Sequence, residues 1–268
     1  MKTVAQWLLC DNYTALTGML PDGILGILGI GTVNFTDLVP SAMPFYWQAF
    51  FSGQLKSPEF SLFLNPGHEE DGELNLGGID STRFVGPITT VSLNSVTSAE
   101  VGNFILDQGA ITINSKAVHN PTSVKPFVPS LVILDTGTAS IQPPDNQTVQ
   151  DMYAAISPEI KPIGNLGSWG TPCEVVDRVV VDVSIQWGPG RKFKATLPWE
   201  FFNLGPFPNQ PQLCEAVFLT LTEPIFTGEG EGVWVIGSPV LKNYYTVWDG
   251  LNFGKGFAKP IWGRSDLM

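Results

Sequence analysis

Turn-forming residues interrupt this chain so often that long helices have no room to develop: 28 glycines and 22 prolines are spread through 268 residues. Glycine enters left-handed turns without steric cost, and proline presets a turn position while removing a backbone donor. Between these turns stand short runs rich in apolar, β-branched or aromatic residues, at 59–64, 72–76, 110–113, 131–134, 179–186, 233–236 and 244–248. Each predicts a strand. The run 179–186 alternates in its second half as a half-buried strand does, and Trp187-Gly188-Pro189-Gly190 after it predicts a hairpin turn. Helical patterns are few. The clearest covers 146–156, with Asp145 or Asn146 as cap and Val149, Met152, Tyr153 and Ile156 on one stripe. A shorter helix is expected at 46–52 and another beginning at Pro198. The expected fold is mostly β, with small helices added.

Composition narrows the function classes. With 43% apolar and 15% charged residues the chain can bury a sizeable core, and it is neither disordered nor a coiled coil. A net charge of −11 argues against nucleic acid as partner and suits a protein that works in acid, where carboxylates protonate and self-repulsion falls. The longest apolar stretch, 23–33, is about half what a membrane span needs, so no membrane partner is expected. Residues 1–10 make a poor signal peptide, with one lysine and an apolar run broken by Gln6. Sequons at Asn12, Asn34 and Asn146 are compatible with secretion. Three cysteines, Cys10, Cys173 and Cys214, allow at most one intrachain disulfide.

The segment that carries chemistry is Leu131-Val132-Ile133-Leu134-Asp135-Thr136-Gly137-Thr138-Ala139-Ser140. Four consecutive apolar residues read as a buried strand, and a carboxylate stands at its end. A buried charge is costly unless donors compensate it. Gly137 allows a tight turn whose backbone N–H approaches the carboxylate, and the hydroxyls of Thr136 and Thr138 can donate as well. The tripeptide alone reads as an ordinary Asp-x-Gly turn; the flanking residues reverse that preference.

With those flanks the segment resembles the second active-site loop of the pepsin-like aspartic proteases (peptidase family A1). Other segments resemble the family in the same order. Asp22-Gly23-Ile24-Leu25-Gly26 is similar to its first-lobe Asp-Gly-Ile-Leu-Gly, and Phe60-Ser61-Leu62-Phe63-Leu64 with Gly72 to Asp80 is similar to the strand pair closing that lobe. Val233-Trp234-Val235-Ile236-Gly237, then Asn243 to Asp249 and Gly256-Phe257-Ala258, resemble its C-terminal signature. The resemblance implies a pepsin-like acid-protease fold, with a partial N-terminal lobe at 1–82 and a complete C-terminal lobe at 83–268. It implies Asp135 as a catalytic aspartate, with Gly137 and Thr138 positioning it and Thr136 bracing the loop. It also implies a Cys173–Cys214 disulfide, no cofactor, and a secreted or vacuolar location.

The chain departs from the family pattern in one respect that governs function. The family carries two Asp-Thr-Gly loops and a flap hairpin, whereas this sequence holds a single Asp-Thr-Gly, at 135–137. Only about twenty residues precede Asp22, so the first loop and the flap are expected to be absent from the chain. Three readings stay open: part of an aspartic endopeptidase whose missing portion comes from another polypeptide; two copies pairing their Asp135 residues; or a pseudoprotease or repurposed scaffold. In the last, the half-open cleft would bind a ligand or perform single-acid chemistry on a small molecule. The expected occupant of the cleft is a peptide or small-molecule ligand. Because the apolar faces of 23–30 and 60–64 would lack sheet partners, self-association or a partner chain is also expected.

Other constellations carry less. His68 and His119 stand far apart beside turn residues, and no metal site is expected from them. Glu69-Glu70-Asp71 reads as a solvated hairpin tip. The glycines of 23–31 lack the third glycine of a dinucleotide fingerprint. Asp249 matches a structural position of the family, and Cys10 reads as a small buried hydrophobe.

Overall fold

A computed structural model of the protein describes residues 45–65, 72–94, 98, 104–119, 130–164, 167–188, 193–208, 210–221 and 232–261. The Asp22 to Gly26 element, the 23–30 face, Cys10, the sequons at Asn12 and Asn34, His68 and the acidic 69–71 cluster lie outside the described residues.

In chain order the elements are α1 (Phe45–Phe51), β1 (Glu59–Phe63), β2 (Glu73–Leu76), β3 (Phe84–Ser92), β4 (Ile105–Ile113), β5 (Lys116–His119), β6 (Leu131–Leu134) and β7 (Ile141–Gln142). There follow α2 (Asn146–Ile156), β8 (Lys161–Ile163), β9 (Ser168–Pro172), α3 (Cys173–Val176), β10 (Val183–Trp187), β11 (Phe193–Leu197) and a 3-10 turn at Trp199–Phe201. The chain continues through β12 (Asn203–Phe207), β13 (Gln210–Ala216), β14 (Val233–Ile236), α4 (Ser238–Leu241), β15 (Tyr245–Asp249) and β16 (Gly254–Pro260). The expected mostly β architecture is what forms.

Among the described residues the strands make three sheets. A seven-stranded sheet runs β11-β10-β4-β6-β14-β7, with β5 added on β4. A five-stranded sheet runs β2-β1-β15-β16-β3, and a four-stranded one runs β12-β13-β9-β8. The four-residue apolar run of β6 has its explanation here. Val132 and Leu134 face the main core, while Ile133 packs with Ile105 and Val233 in a second small cluster. A strand buried on both faces needs apolar residues at consecutive positions.

The five-stranded sheet joins residues far apart in sequence. β1 lies between β2 and β15, both antiparallel, with Phe60 opposite Leu76 on one side and Trp248 on the other. The expectation that 60–64 would lack sheet partners is therefore corrected: both edges of β1 are paired, and Phe60 and Phe63 are buried. Phe60 stacks on Trp248 at 5.7 Å between centroids, and Phe104 meets Trp248 edge-on at 4.9 Å. α1 closes this cluster by burying Tyr46 and Trp47, with Tyr46 edge-on to Phe60 at 5.5 Å. Aromatic pairs in such offset geometries each add about 0.5–1.5 kcal/mol beyond area burial.

Two local outcomes show how context decides. Helix α2 forms over the predicted span because Asp145 caps it: the Thr148 N–H donates to Oδ1 and its hydroxyl donates to Oδ2, each at 2.8 Å. Val149, Met152 and Tyr153 form its buried stripe. The strand predicted at 179–186 instead starts at Val183. The turn leaving α3 consumes the first residues, since the Arg178 N–H donates to Val175 O and the Val179 N–H to Val176 O. Val180 is left 78% exposed, and the backbone turns into the sheet only at Asp182, whose N–H donates to Asn114 Oδ1.

Candidate active site

Asp135 stands one residue beyond β6, where that strand runs parallel to β14 with Leu131 opposite Val233 and Leu134 opposite Ile236. Its backbone N–H donates to Ile236 O at 3.0 Å, extending the ladder by one step and fixing where the side chain emerges. The chain then turns and returns as β7, antiparallel on the far side of β14. The loop 135–140 is thus strapped over the C-terminal end of β14.

Gly237 makes that strap possible. Its N–H donates to Ser140 O at 3.0 Å, and the Ser238 N–H donates to Thr138 O at 2.8 Å. A Cβ at Gly237 would collide with the carbonyl oxygens of Thr138 and Ser140, so only glycine lets the two segments cross so closely. The sequence signal for this role was the apolar–apolar–Gly tripeptide ending Val235-Ile236-Gly237.

The carboxylate itself is half-buried and held at both oxygens. The Gly137 N–H donates to Oδ1 at 2.9 Å and the Thr138 hydroxyl donates to Oδ2 at 2.6 Å. A further turn bond runs from the Thr138 N–H to Asp135 O at 3.3 Å. A Cβ on Gly137 would sit 3.2 Å from Asp135 Oδ1, crowding the oxygen that its own N–H serves. Thr136, by contrast, makes no side-chain hydrogen bond among the described residues, so its hydroxyl is not one of the donors to Asp135. The loop delivers one carboxylate in a fixed plane, with its outer side reachable from solvent. Such a group can accept or donate a proton at a reacting carbonyl.

Cys173 and Cys214 form a disulfide between the first residue of α3 and β13, with Cα atoms 4.6 Å apart. It joins residues separated by 41 positions and ties the four-stranded sheet together. Replacing both cysteines by serine is expected to lower unfolding stability by roughly 3–4 kcal/mol. Urea unfolding of oxidised wild type against the double variant checks this. Tyr153, buried on α2, supports the same region by donating to Phe218 O at 2.8 Å and accepting from the Phe218 N–H at 2.9 Å. Burial pushes its phenol well above its ordinary titration range.

One residue the sequence reading passed over is Lys255, fully buried on β16. It lies opposite Trp248 on β15, and its Nζ sits against the Trp248 ring with the Phe104 and Phe257 rings each 5.9 Å away. Among the described residues the Nζ has no hydrogen-bond partner. Burial drives its amine well below the ordinary lysine range. The signal was available in the strand's alternation, which puts Lys255 on the same face as Phe257.

Comparison with known proteins places these features in a family. Residues 12–260 match the family described as eukaryotic aspartyl protease. An aspartic protease of Phaffia rhodozyma is 29% identical over 241 residues, covering 88% of this chain and 51% of that protein. Vacuolar protease A of Aspergillus fumigatus is 28% identical over 244 residues, covering 89% of this chain and 52% of the relative. Cathepsin D of Dictyostelium discoideum is 28% identical over 242 residues, with 89% and 56% covered. The chain spans about half the length of the curated relatives it matches. With its pepsin-like, mostly β architecture and a match running through nearly all of its length, the chain belongs to the eukaryotic aspartyl protease family.

Proposed function

We propose that this chain is the Asp135-bearing portion of an acid-acting aspartic endopeptidase, and that a second aspartate from another polypeptide segment completes its site. The observation carrying this reading is the carboxylate of Asp135, held at both oxygens by Gly137 and Thr138 at the mouth of a buried parallel strand pair. Peptide hydrolysis by carboxyl groups needs two of them. One, ionised, takes a proton from water as the water oxygen bonds to the scissile carbonyl carbon. The other, protonated, gives its proton to the carbonyl oxygen. In the collapse of the tetrahedral intermediate the amine nitrogen gains a proton and the C–N bond breaks. Two carboxyls so close cannot both ionise, so the pair holds one shared proton.

Asp135 supplies one of the two roles, and each role is worth about 10²–10⁴-fold in rate. The sequence holds one Asp-Thr-Gly, which is why the second carboxyl is assigned to a separate segment. The substrate expected in the cleft is an extended peptide. A vacuolar or secreted location follows from the same reading: a relative carries the name vacuolar protease A, and the disulfide belongs to an oxidising compartment.

The test is co-expression of this chain with an aspartic-protease segment carrying another Asp-Thr-Gly loop, followed by casein hydrolysis at acid pH with and without pepstatin. Pepstatin-sensitive cleavage is expected. A folded, associated pair that neither cleaves casein nor binds pepstatin would leave the scaffold reading in its place.

A further inference from the structure

The motif that the proteolytic reading does not use is Asn146-Gln147-Thr148, at the start of α2. We propose that Asn146 is an N-glycosylation site, modified when the chain passes through the secretory pathway.

The side chain is arranged for this. Asn146 is exposed, as are Asp145, Gln147, Gln150 and Asp151, so the outer face of α2 around it is solvated and polar. Its amide oxygen accepts from the Thr220 hydroxyl at 3.1 Å, while its Nδ2 donates no hydrogen bond among the described residues. Glycosylation uses that nitrogen and spares that oxygen. A lipid pyrophosphate-linked oligosaccharide is the donor: the C1–N bond forms at Nδ2, which loses one proton, as the C1–O bond to the lipid pyrophosphate breaks and that group leaves. The product amide keeps its oxygen for Thr220 and one N–H, and the sugar projects into water.

The position also fits the order of events. Sugar transfer takes place on the extended chain, before α2 forms, when the Thr148 hydroxyl is free. In the folded protein that hydroxyl is taken by Asp145 Oδ2 and the Thr148 N–H by Asp145 Oδ1. A glycan on the first residue of the helix leaves both capping bonds in place, and the buried stripe of Val149, Met152 and Tyr153 faces away from solvent. A second observation points to the compartment independently. The Cys173–Cys214 disulfide forms where the glycosylation machinery also works.

The experiment expresses the full chain behind a heterologous signal peptide in yeast and recovers it from medium and endomembranes. Peptide N-glycosidase digestion in heavy-oxygen water, followed by peptide mass spectrometry, reads each sequon separately. Heavy oxygen at residue 146 is expected, converting that Asn to a labelled Asp. Asn146→Gln should migrate one glycan step faster than the parent with an unchanged melting temperature. Thr148→Ser, which keeps a hydroxyl, should retain the modification. An unlabelled peptide covering residue 146 in disulfide-bonded protein, or co-migration of Asn146→Gln with the parent, would overturn the proposal.

Discussion

Replacing Asp135 by Asn in an enzyme completed by a second Asp-Thr-Gly loop is expected to lower kcat for casein at acid pH by about 10²–10⁴-fold, with KM little changed. An amide has almost the shape of a carboxyl, but it neither takes a proton from water nor supplies one to the carbonyl oxygen. The loss therefore falls on the chemical step and not on binding. The substitution also has a structural cost. Asp135 accepts from both the Gly137 N–H and the Thr138 hydroxyl, and an asparagine offers one oxygen for two donors. Losing one such bond costs about 1 kcal/mol. The variant should stay folded, with a small fall in melting temperature, so steady-state kinetics and a thermal melt together separate a catalytic loss from an unfolded sample.

The second large effect concerns Lys255. Its amine is fully buried among Trp248, Phe104 and Phe257, and the ring contact with Trp248 only partly offsets the lost hydration. The single ion pair among the described residues is Arg83 with Glu73, so Lys255 has no counter-charge there. Lys255→Met fills a similar volume without the amine. It is expected to raise unfolding stability by roughly 1–3 kcal/mol, the cost of an unsatisfied buried polar group. The sign with pH follows from the direction of the shift. The amine's folded pKa lies below its unfolded value of 10.5, so the unfolded chain binds the proton more tightly. The protonation part of the penalty is full below the folded pKa, shrinks as pH rises toward 10.5, and vanishes above it. The gain from Lys255→Met should thus be largest in acid and smallest in strong alkali, where only the cost of the unpaired neutral amine remains. Denaturant melts of both proteins across pH check this; a variant less stable than wild type in acid would mean that Lys255 is paired with an anion.

Much of this architecture was legible because local signals and tertiary context agreed. Leu131–Leu134 and Val233–Ile236 form strands over the predicted spans, since apolar runs of that length satisfy both faces of a buried sheet. Asn146–Ile156 was legible from its cap and stripe. β3 was missed: Phe84–Ser92 is mostly exposed and carries Gly86 and Pro87, so it has neither an apolar run nor alternation, and it is held by pairing with β16. The β12–β13 hairpin was missed for a similar reason, as Gly205, Pro206 and Pro211 break its pattern and its pairing is irregular. At the site, the sequence indicated Asp135, Gly137 and Thr138 as a unit. The role of Thr136 was not legible, because which of two neighbouring hydroxyls reaches a carboxylate depends on the backbone path of the turn.

The most direct measurement is casein hydrolysis at acid pH by the purified 268-residue chain alone, its mass read in the same buffer by size exclusion. A lone monomer is predicted to leave casein intact, because half of a proton-sharing pair performs half of the chemistry. Pepstatin-sensitive cleavage by that monomer would contradict the account.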